Sequence, residues 1–159
     1  HHNPVTSPAR EAMLAPATTG RREAMLGTAE VEDILEENFA PWVKALAPSV
    51  ESVSPGAVRL RMPVTPEIAR VGGIVSGQAL AALADTAMVL AACAQAGRFL
   101  PVVTTNLDLQ FLRPGGGEAI VCEAGIVRAG RALIFARATL TAEPAGKAVA
   151  AATATFYAP

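Results

Sequence analysis

Histidine is almost absent from this chain. The only two are His1 and His2, at the extreme N-terminus, where they resemble the end of a purification tag. The rest of the chain therefore has no Ser-His-Asp or Cys-His nucleophile system, no histidine metal site and no histidine acid-base group. Carboxylates, hydroxyls and backbone amides have to carry any chemistry, and no metal or redox cofactor is implied.

Cysteine, aromatic residues and net charge are also scarce. The two cysteines, Cys93 and Cys122, lie far apart in apolar segments, which favours neither a metal pair nor a disulfide and fits a reducing cytoplasm. A net charge of −1 with five Phe, one Tyr and one Trp does not favour a nucleic-acid partner. Asp85 and Gln95 interrupt the longest apolar stretch before it reaches the roughly 18 residues that cross a bilayer. We therefore expect a soluble protein with no membrane partner.

The hydrophobic residues, 52% of 159, are enough for one substantial core. We predict an N-terminal extension over residues 1–28 and one domain over residues 29–159. Periodicity predicts a helix capped by Thr28 and ending near Pro48, a strand at 57–64, an apolar helix from Gly77 to about Gln95, and strands at 102–112, 118–129, 132–143 and 147–157.

The last four strands are separated by short segments rich in Gly and Pro, which predicts an antiparallel meander. The helix that begins at Gly77 is apolar nearly all round, so other elements must wrap it. The most economical packing is an α+β domain, in which a curled antiparallel sheet surrounds one long central helix and an extra helix precedes them.

Asp85 is a lone acid in the middle of this alanine-rich helix. An ionised carboxylate is costly to bury without partners, and this favours a functional role. The alternative is a structural acid that is hydrogen-bonded to the backbone or to Thr86.

Several short motifs occur together in order. They are VSGQALAALADTA at 75–87, TTNLDLQFLRP at 104–114, Gly130-Arg131, and ATATF at 152–156. Over roughly residues 50–157 the chain resembles the hotdog-fold acyl-CoA thioesterases of the phenylacetate-degradation type. The resemblance implies a hotdog fold, an acyl-CoA substrate, and a homodimer or homotetramer.

The resemblance also implies roles for individual residues. Asp85 corresponds to the catalytic acid, a general base or nucleophile, and Gly77 to the glycine whose N–H polarises the thioester carbonyl. Ser76 stands where the family usually has a histidine, and Arg70 stands where some members have an asparagine. Thr104 corresponds to a serine or threonine that orients the attacking water in some members.

Helix geometry separates the two principal groups. Eight residues at 1.5 Å each place Asp85 about 12 Å beyond Gly77 along the helix, so one carbonyl cannot touch both in the same chain. If two such helices run antiparallel across a two-fold axis, Gly77 of one subunit faces Asp85 of the other. We therefore predict a dimer with two shared sites.

The residues leave some alternatives open. Ser76 is a helix N-cap, a substitute donor or a nucleophile, and Gly77 alone is also typical of an ordinary loop-to-helix junction. Gln78 contacts the thioester or a water, or it is simply exposed. Arg70 binds an acidic acyl group or CoA, or faces solvent.

Thr104 poses a separate question. Period-two alternation puts Thr104 on the outer face of its strand and Thr105 on the core face, which it shares with Val103, Leu107, Leu109 and Phe111. Either a bulge turns Thr104 inward or Thr105 takes its role.

The resemblance also implies CoA-binding roles for three further arginines, Arg113, Arg128 and Arg131. Guanidinium groups beside flexible backbone suit phosphates. The simpler alternative is that they face solvent at strand ends. The predicted function is hydrolysis of a small or aromatic acyl-CoA thioester. The rival is a noncatalytic hotdog protein that binds acyl-CoA or another apolar ligand, and a purely structural dimerisation module is a third possibility.

Overall fold

The computed structural model describes residues 25–159, so most of the predicted extension, residues 1–24 with the two histidines, lies outside the described residues. Within residues 25–159, three helices and eight strands follow one another. They are α1 Thr28–Asn38, α2 Pro41–Lys44, β1 Ser49–Ser54, β2 Ala57–Pro63, β3 Ala69–Arg70, β4 Ile74–Val75, α3 Gly77–Ala96, β5 Val103–Phe111, β6 Ala119–Ala129, β7 Leu133–Glu143 and β8 Lys147–Tyr157.

The long elements agree with the sequence predictions to within about one residue, including α3 and the four C-terminal strands. Six strands form one antiparallel sheet, which wraps α3, and β3 and β4 form a separate small hairpin. The predicted α+β hotdog architecture is confirmed. α3 packs mainly on β2, β6 and β7, and the core between helix and sheet contains the fully buried side chains Leu60, Met62, Leu83, Met88, Leu140 and Phe156.

The predicted four-strand meander is wrong. The sheet order is β1-β2-β6-β7-β8-β5, so β5 pairs with β8 and only β6, β7 and β8 form a meander. The segment between β5 and β6 is a crossover past the end of the β7–β8 hairpin rather than a tight turn. Leu112 N–H donates to the Val149 carbonyl at 2.9 Å, and Glu118 N–H donates to the Glu143 carbonyl at 2.8 Å.

Glycine permits this crossover. Gly117 has φ +103°, and a Cβ there would lie 2.6 Å from the Glu143 carbonyl oxygen. A side chain at this position would therefore clash with backbone as well as strain the chain. The sequence correctly predicts that the chain leaves the strand at 113–117, but turn-forming residues do not determine which strand β5 pairs with.

The predicted N-terminal helix is two helices. α1 ends at Asn38 because Pro41 disfavours helical backbone at Ala40, whose ψ is 145°. The N-cap of α1 is Gly27, not Thr28, and Glu30 accepts a hydrogen bond from the Gly27 N–H at 3.0 Å. The strand β1, which pairs with β2 at the sheet edge, was not predicted. Its serine-rich sequence alternates without a strong apolar face.

α3 is long and apolar enough to resemble a membrane span by length and composition, but 67% of that stretch is buried inside the fold. Its sequence explains its limits. Ser76 caps the N-terminus by accepting a hydrogen bond from the Ala79 N–H at 3.2 Å, and Gly97 ends the helix in the left-handed conformation at φ 72°. One stripe of the helix stays partly or fully accessible, and it consists of Gln78, Ala81, Ala82, Asp85 and Val89.

Candidate active site

Asp85 and Thr104 meet where the accessible stripe of α3 faces β5. Thr104 Oγ1 donates a hydrogen bond to Asp85 Oδ1 at 2.9 Å. Burial raises the pKa of the Asp85 carboxyl above its ordinary value, and the bond from Thr104 offsets part of that rise by stabilising the charged form. Asp85 is half-buried, so it keeps a path to a ligand. The hydrogen-bond partner of the Asp85 side chain is therefore Thr104, not Thr86.

A β-bulge brings Thr104 to this position. The pairing register between β5 and β8 shifts between Thr104 and Asn106, which leaves Thr105 as the extra residue. Thr104 lies opposite the buried Phe156, whereas the Thr105 hydroxyl bonds the Thr155 carbonyl at 3.1 Å. The bulge is thus the correct one of the two predicted alternatives.

The bulge also corrects the predicted core face of β5. Val103 pairs with the half-exposed Tyr157 and is 57% exposed, so it lies on the outer face. Beyond the bulge, Leu107 and Phe111 pair with Ala154 and Ala150, which are both buried, and therefore share the inner face as predicted. They remain accessible on β5, which is an edge strand of the sheet.

Gly77 forms the second part of the candidate site. As the first residue of α3 it has a backbone N–H with no acceptor among residues 25–159, as expected at a helix start. A Cβ at Gly77 would lie 3.3 Å from Phe111 Cζ, so the ring packs directly against the glycine backbone. Ser76 has the N-cap geometry that was one of its three predicted roles.

A cavity of about 440 Å³ opens beside Gly77. Arg70 from β3 and Arg113 from the crossover both line it, with apolar walls from Ile74, Leu80, Phe111 and Leu112. The structure therefore brings together three of the predicted site residues, Gly77, Arg70 and Arg113. An adjoining cavity along the β3–β4 hairpin also contacts Arg70.

Other predicted residues lie apart from this cavity. Gln78 is exposed in the first turn of α3, on the same stripe as Asp85. Arg128 and Arg131 are exposed at the β6–β7 turn. Arg128 on β6 is separated from β5 by β7 and β8, and these three strand spacings amount to about 14 Å across the sheet.

Sequence reasoning missed the cavity walls. Phe111 was assigned only to the core, although the residue is 57% exposed and its ring packs against Gly77. The sequence feature that points to a place in the cavity lining is the position of Phe111 at the end of β5, just before Arg113. Cysteine chemistry does not add to the site, since both thiols are buried and burial raises the pKa of Cys122 to about 12.

Comparison with known proteins agrees with this architecture. The family model of the thioesterase superfamily matches residues 72–149, which include α3 and most of the C-terminal strands. A provisionally assigned thioesterase from Silicibacter sp. TM1040 has 31% sequence identity and a TM-score of 0.75, over 83% of this chain and 91% of that one. The chain belongs to the thioesterase superfamily.

Two further relatives are more distant. A mutant of the phenylacetic acid degradation protein PaaI from Thermus thermophilus is 27% identical with a TM-score of 0.67, over 76% of this chain and 100% of that one. A provisionally named esterase of Thermoplasma acidophilum is 28% identical over 86 residues, or 54% of this chain. The matched region spans 64% of that esterase, slightly less than two thirds of its length.

Proposed function

We propose that the protein is an acyl-CoA thioesterase that hydrolyses a small or aromatic acyl-CoA thioester at a site shared between two subunits. The observation that carries this proposal is the Asp85–Thr104 pair, a half-buried carboxylate with one hydroxyl partner that is open along the accessible stripe of α3. Membership of the thioesterase superfamily supports the same reaction class.

In the proposed reaction the carbonyl oxygen of the thioester accepts a hydrogen bond from the Gly77 N–H. The helix N-terminus suits this role because its dipole favours the negative charge that develops on that oxygen. Asp85 takes a proton from a water molecule that attacks the carbonyl carbon, and Thr104 holds the carboxylate in place. The C–S bond then breaks, the proton passes to the CoA thiolate, and a carboxylic acid and free CoA leave. Direct attack by Asp85, through an acyl anhydride that water hydrolyses, gives the same products.

A dimer is part of the proposal because Gly77 and Asp85 are about 12 Å apart on one helix. The accessible stripe of α3 carries small residues, Ala81 and Ala82, next to Asp85, so a second α3 has room to approach. Leu107 and Phe111 add accessible apolar area on the adjacent edge strand. Antiparallel packing about a two-fold axis would bring the partner's Gly77 to Asp85. Pairing of two dimers into a tetramer and a cytoplasmic location remain predictions.

The activity is tested with a panel of acyl-CoA substrates by following release of free thiol. We expect wild type to turn over at least one of them, and Asp85→Asn to lose about 10²- to 10⁴-fold in kcat, the usual contribution of a general base. Asp108→Asn is the matched control, since Asp108 is an exposed carboxylate on the same strand as Thr104. Equal turnover by wild type and Asp85→Asn would contradict the proposed mechanism.

The shared site is tested by mixing two inactive variants. In a heterodimer of Asp85→Ala and Gly77→Val, one of the two sites combines an intact Gly77 with an intact Asp85, so about half of the wild-type activity should return if sites span two chains. A site confined to one chain would leave both sites defective. Absence of activity in confirmed heterodimers therefore contradicts the shared geometry.

The second candidate is a noncatalytic acyl-CoA binder. It is favoured by Ser76 and Arg70, which occupy the positions where related proteins are expected to carry a histidine and an asparagine. Ligand binding without thiol release across the whole substrate panel would support it.

A further inference from the structure

We propose that the cavity beside Gly77 selects an acyl group that ends in a carboxylate, which Arg70 and Arg113 bind. The preferred substrates would then be half-thioesters of dicarboxylic acids. This inference rests on the proposed thioesterase function, and it extends that function by naming the substrate class.

The first observation is that two arginines from different elements line one cavity. Arg70 precedes the glycines of the β3–β4 hairpin and Arg113 follows β5, yet both line the same cavity. Among residues 25–159 neither has an ion-pair partner. Two arginines of β2 differ in this respect, because Arg59 and Arg61 are paired with Glu51, Glu123 and Glu143.

The second observation is that apolar side chains line the same cavity as Gly77 and the two arginines. Phe111 packs against Gly77 and lines the cavity together with Ile74, Leu80 and Leu112. Methylene groups that follow a carbonyl at Gly77 would contact these apolar side chains. A carboxylate at the far end would then reach two cations whose planar donors match its two oxygens.

The phosphates of CoA are the other anionic groups that arginines could bind. The extended pantetheine arm, about four residue-lengths, separates the thioester sulfur from the nearest phosphate by about 14 Å. A cavity of about 440 Å³ that already contains Gly77 in its lining suits a short acyl chain better than that arm and its phosphates. We therefore assign the carboxylate to the acyl group.

The test compares two thioesters of equal chain length, adipoyl-CoA and hexanoyl-CoA, which differ in the terminal carboxylate. We expect kcat/KM of wild type to favour adipoyl-CoA, and Arg70→Gln or Arg113→Gln to lose about 10- to 100-fold on adipoyl-CoA with little change on hexanoyl-CoA. Arg98→Gln is the control, since Arg98 is exposed at the far end of α3 and outside the cavity lining. Equal losses on both substrates overturn the proposal.

A second arm distinguishes the carboxylate from the CoA phosphates. The same two acyl groups are supplied as N-acetylcysteamine thioesters, which carry no phosphate. If the arginine variants still lose activity selectively on the adipoyl thioester, the carboxylate is the anion they bind. If the loss disappears, the arginines bind CoA phosphate and our assignment is wrong.

A binding arm keeps this inference separate from the question of turnover. Calorimetry on Asp85→Asn measures Kd for adipoyl-CoA and hexanoyl-CoA, and we expect adipoyl-CoA to bind about 10- to 100-fold more tightly, with the difference lost when Arg70→Gln is added. A protein that hydrolyses no thioester but shows this difference disproves the thioesterase proposal and retains the carboxylate subsite. Equal binding of the two ligands overturns the subsite.

Discussion

The hydroxyl of Thr104 donates a 2.9 Å hydrogen bond to the carboxylate of Asp85. This bond joins the middle of α3 to the edge strand β5, and it exists because a bulge at Thr105 turns Thr104 toward the helix. Burial and this bond act on the carboxylate in opposite directions, since burial disfavours its charge and the bond favours it. The balance between burial and this hydrogen bond sets the pKa of Asp85, and therefore the pH range in which the proposed base is ionised.

Removing the bond should shift the pH profile of the reaction. In Thr104→Val the pKa of Asp85 will rise further, because the group that lowers it is gone. We expect the acidic limb of kcat/KM against pH to move to higher pH, since the base must be ionised to act. Thr105→Val is the matched control because its hydroxyl bonds the Thr155 carbonyl instead. Identical acidic limbs in wild type and Thr104→Val would count against Asp85 as the base.

The charge on Asp85 should cost stability at neutral pH. Its raised pKa means that the folded protein holds the proton more tightly than the unfolded chain, so stability falls as pH rises from the ordinary range of Asp through the folded-state pKa. Asp85→Asn keeps an acceptor for Thr104 and removes the charge. We expect urea unfolding near pH 7 to show a more stable variant, and the difference to shrink below about pH 4. A less stable variant near pH 7 would contradict this. Asp108→Asn, at an exposed carboxylate, is the control substitution.

Two substitutions separate the helix-capping role of Ser76 from a role in catalysis. Ser76→Ala removes the acceptor of the Ala79 N–H and should lower the free energy of unfolding by about 1 kcal/mol, whereas Ser76→Gly should cost only a few tenths of a kcal/mol. Thiol release by Ser76→Gly should stay within a few-fold of wild type. A Ser76→Gly protein that is stable but inactive would instead establish the hydroxyl as part of the chemistry.

The crossover between β5 and β6 should depend on Gly117. Both Gly117 and Gly72 have strongly positive φ, +103° and +94°, so alanine at either position is strained. At Gly117 the new Cβ also meets the Glu143 carbonyl, while nothing lies within 4 Å of the Cβ at Gly72. We expect Gly72→Ala to cost about 1–2 kcal/mol and Gly117→Ala distinctly more, measured by chemical unfolding. Equal costs would mean that the backbone at Gly117 relaxes without penalty.

The local pattern of the sequence predicted most of the secondary structure. The alternation in β2, β7 and β8 and the helical spacing in α3 are set by neighbouring residues, and these elements appear nearly as predicted. The predicted single N-terminal helix was wrong because the effect of Pro41 on the preceding residue was overlooked. β1 was missed because its serines leave too weak an apolar period to detect.

The site was predictable only in part. Asp85 and Gly77 stand out because an acid in an apolar helix and a glycine at a helix start are features of one segment. One cavity is lined by Arg70, Gly77 and Arg113, which belong to β3, α3 and the crossover. No local sequence pattern predicts that these three segments meet. The contact of Phe111 with Gly77 was unpredicted for the same reason.

By itself the sequence determined a wrapped apolar helix with one acid, a surrounding antiparallel sheet and the hotdog resemblance, since these depend on periodicity and short motifs. Only the tertiary structure decided that β5 pairs with β8, that Thr104 rather than Thr105 reaches Asp85, and that Arg70 and Arg113 line one cavity with Gly77. The physical reason is that strand partners and bulges are chosen by packing between residues distant in sequence. A one-residue bulge reverses which side chains face the core, and the alternation of apolar residues cannot reveal it.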